Sequence, residues 1–164
     1  IIEDVEKYIE IVYLKTGKLF EASALVAIDI AESTDSNWAK DFGKNFGIAY
    51  QLRNDYLDYF GDDNQTGKNI AEDLSEGKST LPLIHSYINS NDNDKNTIKN
   101  IFDKKLVSDT DELREIFYRN ESDKYTLKEI DKYSYNAIKA LDSLDIDSSK
   151  ALIDLTKYCS TRTR

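Results

Sequence analysis

The chain has 164 residues, 40% of them hydrophobic and 32% charged, the balance of a globular domain with its own core rather than of a disordered segment. Its formal net charge is −9 with Lys and Arg dispersed, which argues against a nucleic-acid partner, because phosphate binding needs clustered basic residues. The single cysteine, Cys159, excludes an internal disulfide and a cysteine-built zinc cluster, and no apolar run approaches the ~20 residues that span a bilayer, so the expectation is a soluble, cytoplasmic protein.

Apolar residues recur at three- and four-residue spacing and only Pro82 and six glycines interrupt them, which predicts an all-α fold without strands. Val5, Ile9, Val12 and Tyr13 open a first helix, and after Lys15-Thr16-Gly17 its stripe resumes as Phe20, Ala24, Ala27, Ile28 and Ala31. Glycine inside a helix costs about 1 kcal/mol relative to alanine, so a kink or a change of helix is expected at Gly17. Because the pattern starts at once from Ile1, without an initiator Met, the chain is expected to begin inside a larger protein. Asp35 or Ser36 is placed to cap a second long helix, which reaches about Phe60, with Trp38 as a packing anchor.

Residues 61–80 lose the apolar pattern and read as a long polar loop holding about one helical turn; loops of that length are usually functional or mobile. Leu81 to Ile88 reads as helix despite Pro82, which is tolerated in a first turn. Asn89 to Asp94 reads as a solvated connector, followed by helices near 95–105, 109–119 and 123–142 and a last one over about 148–160. The charged stretches 94–105 and 121–132 read as solvated helix faces, Cys159 as a small buried hydrophobe, and His85 as a structural or exposed residue with no general-base role. No internal repeat or domain boundary is visible, so residues 1–164 read as one partial domain.

The informative helix is 36–60. Gly43, Gly47, Gln51, Asp55 and Asp58 succeed one another at helical spacing and share a face, and Asn54, Asp58 and Asp62 form a second row. Two glycines inside a helix imply close approach by another backbone or by a ligand. Oxygen ligands gathered in this way suit Mg²⁺, which is usually shared between one or two carboxylates and substrate phosphates. The competing reading is a solvated acidic helix end; the dense apolar neighbours Tyr50, Leu52, Tyr56, Leu57, Tyr59 and Phe60 weigh against it. Lys15, Lys68 and Lys78 are the nearby candidate cations for an anionic substrate, or else surface charges.

Taken together, Tyr50-Gln51-Leu52-Arg53-Asn54-Asp55-Tyr56-Leu57-Asp58-Tyr59 resembles the second aspartate-rich motif of the trans-type polyprenyl diphosphate synthases, F-Q-x-x-D-D-x-x-D. Residues 67–83 resemble the segment that follows it in that family, and the likeness, greatest to the octaprenyl diphosphate synthases, runs from Lys15-Thr16 to Arg162-Thr163-Arg164. The resemblance implies the C-terminal half of the isoprenoid synthase helical bundle and a homodimer in the intact protein. The implied activity is Mg²⁺-dependent condensation of isopentenyl diphosphate with an allylic diphosphate, giving a long-chain polyprenyl diphosphate for quinone side chains. It assigns Asn54, Asp55 and Asp58 to the metal, and Lys15, Thr16, Gln51 and Lys68 to the reaction region. Diphosphate binding falls to Lys15, Lys68 and Lys78, with Arg162 and Arg164 resembling a basic tail that closes over the site.

Two departures follow. The family's first aspartate-rich motif lies in an N-terminal half that these residues do not contain, so the chain alone is expected to be inactive and to expose apolar surface. The second motif begins with Asn54 in place of aspartate, which offers a neutral oxygen and less charge compensation. Asn54 keeps two alternatives open: a non-catalytic partner subunit of a hetero-oligomer, and a terpene cyclase, against which the segment from Gly67 to Leu83 argues.

Overall fold

The structure is a computed structural model that describes residues 1–32, 36–61 and 71–163. Among these residues every regular element is helical, as the periodicity predicts. In chain order they are α1 (Val5–Val12), a π-helical turn (Tyr13–Gly17), α2 (Lys18–Ile30), α3 (Asn37–Phe60), α4 (Glu72–Glu76), α5 (Leu81–Asn89), α6 (Asp92–Lys104), a 3₁₀ turn (Val107–Asp109), α7 (Thr110–Arg119), α8 (Ser122–Ala140) and α9 (Ile146–Thr161). None of the described helices is long and apolar enough to cross a membrane.

The expected discontinuity at Gly17 is the π turn, which runs unbroken from α1 into α2 and carries Lys15 and Thr16. The solvated connector expected over Asn89 to Asp94 is shorter than its composition suggests. The connector after α5 is only Ser90 and Asn91, because Asn91 is an N-cap: its side-chain oxygen accepts from the Asp94 amide at 2.9 Å, and Asp92 to Asp94 form the first turn of α6. At the start of α9, Asp145 accepts likewise from the Ser148 amide at 2.9 Å, two residues earlier than the sequence pattern alone suggests. Pro82 sits in the first turn of α5, where its missing N–H leaves no helical bond unmade.

The chain divides into two compact units: Ile1–Tyr8, Asn54–Lys128 and Thr163–Arg164 in one, Ile9–Arg53 and Glu129–Arg162 in the other. In the first, Tyr59, Leu74, Leu83, Ile98, Ile101, Leu113, Ile116 and Phe117 form a core to which α3 through α7 each contribute. In the second, Phe42, Phe46, Ala137, Leu141 and the buried Cys159 are packed by Phe20, Trp38 and Tyr50. His85 belongs to the first unit, where its Nδ1 lies 2.9 Å from Ser122 Oγ and its ring stacks on Tyr125, a packing role.

Candidate functional site

The glycine face of α3 sets the geometry of the second unit. A Cβ on Gly47 would stand 2.6 Å from the Cα of Gly17 and 2.9 Å from Phe20 Cδ2, and one on Gly43 would stand 2.6 Å from the Cα of Glu21. The close approach expected there is therefore backbone on backbone, α3 lying against the π turn and α2. That contact brings two expected residues together: Thr16 Oγ1 donates to Gln51 Oε1 at 3.1 Å. Buried Glu21 ties α2 to the turn. Tyr13 Oη donates to it at 2.5 Å and Lys18 Nζ at 3.0 Å, and although burial pushes its pKa up, these donors hold it below the ordinary value.

The last two turns of α3 carry the carboxylates into the first unit. Asp55 is 3% exposed and accepts from the hydroxyl of Tyr8, a residue to which sequence reasoning gave no role. Burial, and then the charge of Asp55, raise the Tyr8 pKa well above its usual value, so the phenol stays a donor. One turn later, Asp58 caps α4: the amide of Glu72 donates to its Oδ1 at 3.0 Å and that of Asp73 to its Oδ2 at 3.2 Å. The Ala71 amide donates to the backbone carbonyl of Asp58 at 3.0 Å, and Ala71 takes a left-handed conformation, φ 57°, to do so. Burial first, and then the neighbouring Asp73, push the Asp58 pKa up to about 6, against the two amides that lower it.

Lys78 extends this cluster. Its Nζ lies 3.1 Å from Asp73 and also pairs with Glu76, whose hydrogen bond, followed by that of Asp73, raises the lysine pKa, so it remains a cation. Lys15 is exposed on the π turn, and Asn54 is half-buried between Arg53 and Asp55 on α3. Lys68, Asp62 and Arg164 lie outside the described residues. In the second unit, the Arg162 guanidinium lies over the Tyr50 ring, 4.9 Å from its centroid, and buried Arg53 donates to the Arg162 carbonyl, a contact the sequence did not suggest.

A family profile described as Polyprenyl synthetase matches residues 2–119. The chain belongs to the polyprenyl synthetase family. Octaprenyl diphosphate synthase of Haemophilus influenzae is 31% identical over 152 residues, which are 90% of this chain and 46% of that protein. The octaprenyl diphosphate synthase of Escherichia coli K12 is 45% identical over 83 residues, 49% of this chain and 26% of that one. Among solved structures, a polyprenyl synthase from Caulobacter crescentus CB15 matches with a TM-score of 0.90 at 29% identity, over 98% of this chain and 51% of the other. The chain thus spans about half of the length of two of these relatives and about a quarter of the third. The all-α fold is that of the Caulobacter polyprenyl synthase.

Whether the chain could hold Mg²⁺ is decided by its donors. Among the described residues no group of three or more His, Cys, Asp or Glu side chains is placed to hold a metal ion unaided. Mg²⁺ does not need one, since it commonly takes one or two carboxylates and completes its shell with water and phosphate oxygens. A carboxylate offers about four acceptor sites, and the two amides on Asp58 occupy two of them. Asp55 and Asp58 are hard oxygen donors one turn apart, and Asp73 adds like charge beside Asp58. This donor set fits Mg²⁺.

Proposed function

We propose that this chain is the distal half of a Mg²⁺-dependent trans-prenyltransferase, which condenses isopentenyl diphosphate with an allylic diphosphate into a long-chain polyprenyl diphosphate of the kind used for quinone side chains. The observation that carries the reading is the pair Asp55 and Asp58, one turn apart on α3 and crowded by Asp73, in a chain of this family. The Caulobacter relative is described as complexed with calcium and isoprenyl diphosphate, a divalent cation with a diphosphate, which supports the same ligand chemistry here.

When bound, Mg²⁺ supplies Lewis-acid neutralisation of the diphosphate that leaves the allylic substrate. The protein's part is to hold and orient. Asp55 and Asp58 would hold the ion, with the Asn54 side chain as a neutral third donor; Tyr8 and the amides of Glu72 and Asp73 fix the two carboxylates. Thr16 and Gln51 position the reacting end of the substrate through their mutual hydrogen bond. Lys15, Lys68, Lys78, Arg162 and Arg164 balance the charge of the diphosphate as it departs. The intact protein works as a homodimer in the cytoplasm.

The proposal includes inactivity of these 164 residues alone, because they supply only one of the family's two aspartate-rich motifs. Given Mg²⁺, farnesyl diphosphate and isopentenyl diphosphate, the chain should form no longer prenyl diphosphate; measurable turnover would overturn that part. Asn54 favours a second reading, a non-catalytic partner subunit. Asn54→Asp in the full-length protein separates the two: unchanged Mg²⁺-dependent turnover supports a catalyst adapted to asparagine, and activity that appears only in the variant supports the partner subunit.

A further inference from the structure

We propose that Arg53 is a positioning residue that holds Arg162, just past the end of α9, in place before any anion binds. Arg53 is 7% exposed and lies on α3 immediately before Asn54. Its Nε donates to the carbonyl oxygen of Arg162 at 2.8 Å, and one terminal nitrogen donates to that same oxygen and, at 3.4 Å, to the carbonyl of Thr161. These carbonyls sit where α9 ends, at Thr161. The last carbonyls of a helix have no partner within it and form the negative end of its dipole, so a fixed guanidinium fork satisfies them and is attracted there by charge.

The result is a division of labour between two arginines. Arg53 grips the backbone of residue 162, while the Arg162 side chain is laid across the ring of Tyr50, the residue before Gln51. The Arg162 amide also donates to the Tyr158 carbonyl at 2.9 Å, so the backbone there is fixed from both sides. A guanidinium buried to this degree is costly unless it is hydrogen-bonded, and three donations to two carbonyls meet that requirement. Arg162 is therefore preorganised by the protein itself, which lowers the ordering cost of any anion that it meets. This last step rests on the diphosphate reading above; the grip of Arg53 on α9 does not.

The experiment has two arms and uses the full chain. In hydrogen exchange of the segment 157–163, Arg53→Met should speed exchange by about tenfold or more, as loss of charge-assisted hydrogen bonds implies. Arg53→Lys should fall between the two, and the peptides of α6 should be unchanged. Unchanged exchange in 157–163 would overturn the proposal. In calorimetric titration with inorganic diphosphate and Mg²⁺, Arg53→Met and Arg162→Gln should weaken binding by the same factor, and the double variant by no more. Additive losses would overturn the positioning role. If the unaltered chain bound no diphosphate, the diphosphate reading would fall while the exchange arm still decided what Arg53 does. Should Arg53→Met fail to fold, Arg53→Lys carries both arms.

Discussion

Replacing Gly47 with alanine adds one methyl group at the tightest point of the α3 crossing. Its carbon would stand 2.6 Å from Gly17 Cα, 3.3 Å from Gly17 N and 2.9 Å from Phe20 Cδ2. Carbon atoms in contact normally sit about 3.5–4.0 Å apart. The nearest atom is backbone and cannot rotate away, so α3 must move off the π turn by an appreciable fraction of an ångström. Helix propensity favours alanine by about 1 kcal/mol. Overpacking of this kind costs about 1–3 kcal/mol. Separation also loosens the Phe20–Phe46 and Phe20–Tyr50 ring contacts, at 5.0 and 5.5 Å, and stretches the 3.1 Å Thr16–Gln51 hydrogen bond. Set against the propensity gain, the net expectation is a loss of up to about 2 kcal/mol, read by urea unfolding as a lower midpoint at unchanged slope. A Gly47→Ala chain more stable than the original would refute the argument, because propensity alone would then account for the position. Gly43→Ala, whose methyl would meet the backbone of Glu21 and Phe20 within 2.7 Å, should behave in the same way.

Tyr8→Phe removes the hydroxyl that donates to buried Asp55 and should cost about 1.5–3 kcal/mol, the range for a hydrogen bond to a charged group. A Tyr8→Phe, Asp55→Asn double-mutant cycle should show clear coupling, and additivity within experimental error would contradict the pairing. Asp58 gives a pH signature. Its folded pKa, about 6, lies above the ordinary 3.8, so its contribution to stability is fully present below 3.8 and is lost as pH rises through about 6. In metal-free buffer the chain should therefore lose about 1–3 kcal/mol relative to Asp58→Asn between pH 4 and pH 7.5, allowing for the partial exposure of the carboxylate. Parallel pH profiles of the two proteins would rule out the raised value.

What could be read from the sequence follows from the range of the interactions involved. The helical periodicity, the break at Gly17 and the glycine face are local patterns, and each has its counterpart in the π turn and the α3 crossing. The sequence left open whether a backbone or a ligand fills the glycine face, since spacing within one helix does not say what lies against it. Asn91 was legible but outweighed: NSNDND looks like a loop by composition, although Asn91 and Asp94 stand in N-cap register. Tyr8 and Arg53 were beyond reach for another reason, their partners being 47 and 109 residues away in the chain. Arg53 did leave a trace, as a charged residue beside Leu52 in the buried middle of an apolar helix. Asp58 was visible as a carboxylate on the right face, whereas its use as the cap of α4 depends on the left-handed turn at Ala71.

In the proposed function, Asp55 and Asp58 bind a diphosphate through Mg²⁺. Calorimetric titration of the chain with inorganic diphosphate, with and without Mg²⁺, tests it most directly. Binding should require Mg²⁺ and should weaken at least about tenfold in Asp55→Asn, in line with the loss of a charged metal ligand. Equal affinity in the presence of a chelator, or in Asp55→Asn, would contradict it.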